Sequence, residues 1–147
     1  MANLDDELAS LHTAAIDARN GYDEAAKKAG TSPFAPLFQE LAALHEKHAT
    51  EIRQLLVQHG RNPSDDGSFM TVVHQTIMDV RALVGGLEDS VLPGLIDGEK
   101  RNIAKYDDLL KKPIGTREET VLSRQRGELD AMVRRMESMK DNPGRAQ

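Results

Sequence analysis

His45 and His48 stand three residues apart in the run His45-Glu46-Lys47-His48-Ala49-Thr50-Glu51. Imidazole and carboxylate are donors that iron, manganese and zinc accept. Side chains three or four apart on a helix share a face, so two histidines at this spacing can address one point. A further carboxylate, Glu99, stands at the centre of an apolar helical stripe, and Glu128 stands at the margin of another. The chemistry-bearing set is therefore His45, His48 and Glu99, with Glu128 and Glu51 beside them, a set suited to one iron, manganese or zinc ion. Tyr22, Tyr106 and Gln125 also face inward and bring hydrogen-bonding groups to the same level.

Composition removes several chemistries. The 147-residue chain has no cysteine, so disulfides, thiolate metal sites and cysteine nucleophiles are excluded. A formal net charge of −5 argues against non-specific nucleic-acid binding, which needs a basic face. No apolar run approaches ~18 residues, and no basic-then-apolar leader opens the chain, so no membrane span and a cytoplasmic location are expected. There is neither a glycine-rich nucleotide loop nor a nucleophile elbow, and no catalytic residue is assigned. Alanine, leucine, glutamate, lysine, arginine and methionine are plentiful and tryptophan is absent, which is a helix-forming composition. One domain over 1–147 is expected at this length.

Periodicity predicts helices over about 4–29, 33–59, 68–84, 90–111 and 116–140. The first has Asn3 as cap, acids in its first turn and Gly30 as stop. Its stripe, from Leu4 to Ala29 through Tyr22, is rich in alanine; His12 and Asp17 fall off it and are expected in solvent. Ile16, outside that stripe, suits contact with a crossover helix or with a second copy of the chain, so a homo-oligomer is an open reading. The second helix is expected to be capped by Ser32 with Pro33 in its first turn. Its stripe runs Leu37, Phe38, Leu41, Leu44, His45, His48, Ile52, Leu55 and Leu56, with His59 at the end as a partly exposed terminal residue. The helix over 90–111 carries Leu92, Leu95, Ile96, Glu99, Ile103, Tyr106 and Leu110 on one face, with Pro93 in its first turn. Thr116 to Glu119 reads as a capping box. The last helix then places Val121, Leu122, Gln125, Leu129, Met132, Val133, Met136 and Met139 inward, while its arginines read as a solvated face.

Four long helices in two short-linked pairs make a four-helix bundle. A short helix over 68–84 would span roughly 25 Å and return the chain to the opposite end. The fold class is therefore all-α: a ferritin-like four-helix bundle of two antiparallel hairpins with an additional short crossover helix. An up-down-up-down order ranks second, because it leaves 68–84 without a role.

Several residue groups also carry a resemblance. They are Asn20-Gly21-Tyr22, Leu37-Phe38 with His48 and Glu51, Gly67-Ser68, Gly98-Glu99 with Tyr106, and Arg124-Gln125 with Glu128. In order and spacing the chain resembles the bacterial ferritin-like four-helix-bundle proteins of unknown function. That resemblance implies a ferritin-like fold and a role in stress or metal handling, and it supplies no established reaction.

A ferritin-like di-metal site takes a glutamate from each of two helices and Glu-x-x-His from each of the other two. The first helix offers no inward carboxylate, the second reads His48-x-x-Glu51 in reverse order, and Ala131 stands three residues after Glu128. The expected function is a non-enzymatic binding or assembly role, or one in stress, built around a polar layer that sets the register of the bundle. The alternative is an oxidoreductase or iron-handling protein with an incomplete di-metal site.

Overall fold

The computed structural model describes residues 3–63 and 88–141. Those residues form four helices: α1 (Leu4–Ala29), α2 (Ala35–Gln58), α3 (Glu88–Leu110) and α4 (Thr116–Asp141). The helix expected over 68–84, with His74, Gly67 and Ser68, lies outside the described residues.

Local chemistry sets most of the boundaries. Asn3 accepts a hydrogen bond from Asp6 N at 2.9 Å, and three acids occupy the first turn of α1. Gly30 and Gly60 adopt φ of 55° and 78°, where a side chain would be strained, and end α1 and α2. The α2 start differs from expectation: Ser32 and Pro33 form a turn, Phe34 caps the helix and Pro36 sits in its first turn. Thr116 is the first residue of α4 rather than its cap, and Glu119 N bonds the Gly115 carbonyl, so the expected capping box is not the device used. Pro93 lies in the second turn of α3, because that helix begins at Glu88.

Cross-helix pairs give the topology. Arg19–Glu46 and His59–Asp5 run α1 against α2; Lys100–Glu137 and Tyr106–Gln125 run α3 against α4. Tyr22–Glu99 and Lys112–Glu7 place α1 antiparallel to α3. Arg117–Gln58, His48–Glu128 and Arg135–Glu40 do the same for α2 and α4. It follows that α2 and α3 are parallel, and the connection between them joins opposite ends of the bundle. Up-down-up-down order does not fit these contacts.

The core fills the space between the four helices with Leu8, Leu11, Phe38, Leu41, Ile52, Leu56, Ile96, Leu122, Leu129 and Met136. Buried Ala25 and Ala29 of α1 and Ala35 and Ala42 of α2 let these two helices pack closely. The two hairpins meet each other more sparsely, through long side chains. Leu109, not Leu110, takes the deep position at the end of α3. One further expectation fails. His12 and Asp17 are buried at 2% and 3% exposure, and neither is without a partner. Ile16 is buried as well, in a small cluster with Ala15 and Ala49. A single stripe under-counts burial on a helix that is covered around more of its circumference.

Candidate functional site

The two hairpins meet at mid-height across a layer of polar side chains. Glu99, 3% exposed, is its centre. Its Oε2 accepts from the Tyr22 hydroxyl at 2.6 Å and from His45 Nε2 at 2.9 Å. The Tyr22 and His45 rings stack, with centroids 5.6 Å apart and 13° between planes. His45 and His48 then meet edge-on at 6.1 Å. The i, i+3 spacing brings the two rings into edge contact.

The carboxylates are divided between the histidines. Glu128 takes His48, whose Nε2 donates to its Oε1 at 3.0 Å, while Lys47 donates to Oε2 at 2.9 Å. Arg124 holds both Glu51, at 2.5 Å, and Glu128, at 3.1 Å. Below them, Gln125 donates to the His48 carbonyl at 3.3 Å and to Glu51 at 3.0 Å, and accepts from the Tyr106 hydroxyl at 2.8 Å. Glu51 and Glu128 are thus rim residues tied to cations, whereas Glu99 is enclosed. The arginines expected in solvent are largely engaged: Arg117, Arg124 and Arg135 tie α4 to α2, and Arg126 pairs with Asp107 of α3.

Electrostatics follow from this partition. Burial by itself would push the Glu99 carboxyl up, but attraction to His45 and the hydrogen bonds from His45 and Tyr22 outweigh it and hold Glu99 below the usual carboxylate range. Burial, with the adjacent Glu99 charge, pushes the Tyr22 hydroxyl well above its ordinary value, and burial likewise raises Tyr106. Burial lowers His48, against the opposing pull of Glu128. A neutral His48 then carries its one proton on Nε2, facing Glu128, and its Nδ1 is a bare lone pair.

Among the described residues, three buried polar atoms have no hydrogen-bond partner: His45 Nδ1, His48 Nδ1 and Glu99 Oε1. The two nitrogens of an imidazole diverge, so a ring whose Nε2 faces a carboxylate turns its Nδ1 away from it. Among the described residues no group of three or more His, Cys, Asp or Glu side chains is placed to hold a metal ion.

Replacing Tyr106 with phenylalanine tests the lower half of the layer. It leaves the buried Gln125 oxygen without its donor and is expected to cost about 1–3 kcal/mol in denaturant unfolding. A change within about 0.5 kcal/mol would show that this bond is not holding α3 to α4.

Sequence reasoning found the inward members of the layer and both rim carboxylates, and missed the cations that hold the rim. Lys47 and Arg124 were legible only as helix-surface charges, because their partners lie on another helix. It also missed the contacts of His59 with Asp5 and Glu118. An antiparallel hairpin sets the first turn of α1 beside the last of α2, and that register could have revealed the first of them.

The protein family described as a domain of unknown function (DUF2383) matches residues 3–112. No curated protein and no solved structure matches the chain. No helix among the described residues is long and apolar enough to cross a membrane.

Proposed function

The chain belongs to the DUF2383 family, and we propose that it is a single ferritin-like domain that acts by binding or assembly, with its mid-bundle layer serving to fix how the two hairpins engage. The parallel run of α2 and α3 supports the ferritin-like label, since that fold has one long connection between two antiparallel pairs. The observation that carries the non-metal reading is the saturation of Glu99 Oε2 by two protein donors, Tyr22 from α1 and His45 from α2. Where a di-metal bundle would offer a glutamate on the first helix, α1 offers a tyrosine hydroxyl. A buried pair of this kind favours one register over its neighbours, because a slip of one turn would leave a charge unpaired in the core.

A single iron, manganese or zinc ion is the second reading, favoured by the three unpartnered buried atoms His45 Nδ1, His48 Nδ1 and Glu99 Oε1. Glu128 and Glu51 could join such a site only by leaving Lys47 and Arg124. Metal analysis separates the readings. Protein purified from cells grown with iron, manganese and zinc is expected to carry less than ~0.1 metal per chain. Near-stoichiometric metal that disappears in His48→Gln or Glu99→Gln would replace the first reading with the second.

A further inference from the structure

His59 lies just past α2, at the end of the bundle where three helix ends meet. Its ring nitrogens face two different carboxylates. Nδ1 is 2.5 Å from Asp5 Oδ1 on α1, and Nε2 is 3.3 Å from Glu118 Oε2 on α4. A neutral imidazole has one N–H and can donate to only one of them; the imidazolium alone satisfies both. The backbone favours the same charges. Asp5 and Glu118 occupy the first turns of their helices, where carboxylates are stabilised, and His59 follows the last turn of α2, where a cation is stabilised.

Gly115 supplies an independent observation. A β-carbon at that position would fall onto Glu118 Oε1, so the glycine leaves open the space that the carboxylate uses. Other described charges at this end have partners of their own. Arg61 lies 3.9 Å from Asp5 and 3.5 Å from Asp6, Lys112 pairs with Glu7, and Arg117 donates to Gln58. The other two carboxylates here, Asp6 and Glu7, are each held by a cation other than His59.

We propose that His59 is a proton-operated latch: as the imidazolium it ties the first turns of α1 and α4 to the end of α2, and on losing its proton it releases α4. The bond to Asp5 is the shorter one, so the remaining N–H stays on Nδ1 and Glu118 is let go. The hydrogen bond that His59 donates to Asp5 is the main influence raising His59 above its ordinary value. A raised histidine contributes stability that is fully present below its unfolded pKa and disappears as pH rises through its folded pKa.

The test is an NMR titration of the His59 ring in the full chain, with thermal unfolding from about pH 5 to about pH 8. His59 is expected to titrate above about 6.5. The melting temperature should fall across that titration, and amide exchange in the first turn of α4 should quicken with it. In His59→Gln that component of the pH dependence should vanish. Gly115→Ala, which keeps the histidine but crowds Glu118, should move the His59 midpoint back towards about 6.5. A midpoint at or below 6.5 in the wild type would overturn the latch. So would an unchanged pH slope in His59→Gln, or a uniform loss of stability at every pH, which would mark His59 as packing alone.

Discussion

Replacing Glu99 with alanine is expected to remove about 3–5 kcal/mol of unfolding free energy, because it takes a buried carboxylate away from two buried partners. The size follows from what is left behind. His45 is 1% exposed and faces Glu99 with Nε2, and the Tyr22 hydroxyl has the same oxygen as its partner. Both would be stranded in a core that water does not reach. Removing all three polar groups together, in His45→Leu, Glu99→Leu and Tyr22→Phe, should recover most of the loss and could exceed the wild type by about 1–4 kcal/mol. Denaturant unfolding of the two variants decides the matter: a loss below about 1 kcal/mol in Glu99→Ala would show that the layer does not hold the hairpins together. The pH dependence has a definite sign. Glu99 is held below the usual carboxylate range, so its contribution is present above its unfolded pKa and is lost as pH falls through the folded value. Glu99→Gln should therefore flatten the acid arm of the stability curve.

Phe38→Ala is expected to cost about 3–5 kcal/mol as well, by a different route. Phe38 is fully enclosed in the main core, and deleting its ring leaves a cavity between close-packed helices. Its ring also stacks behind Tyr22, with centroids 6.4 Å apart. Tyr22 in turn stacks on His45 and bonds Glu99, so loss of the Phe38 ring should loosen the layer along with the core. A double-mutant cycle of Phe38→Ala with Tyr22→Phe measures that coupling. An interaction energy below about 0.5 kcal/mol would mean that core and layer are independent.

The apolar spacing of the chain was enough to determine four long helices and to put Leu8, Phe38, Leu41, Ile52, Leu122, Leu129 and Met136 inside them. Burial of an amphipathic stripe is a local property, readable at 100° per residue. The same periodicity put His45, His48, Glu99, Tyr22, Tyr106 and Gln125 in the interior, because each sits on an apolar stripe. Helix ends were legible where the cap is one residue, as at Asn3 and Gly30. They shifted where neighbouring turn residues compete, as at Ser32 to Pro36 and at Thr116.

Tertiary structure alone decided which polar group answers which. Glu99 went to His45 and Glu128 to His48, instead of all four meeting at one point, because the register between hairpins is set by the sum of core contacts and not by any single residue. It also decided that His12 and Asp17 are covered, that Glu51 and Glu128 are held by Arg124 and Lys47, and that His59 is shared between Asp5 and Glu118. Each of these depends on a residue far away in sequence and close in space. Helical periodicity carries no information about which helix faces which, or at what height.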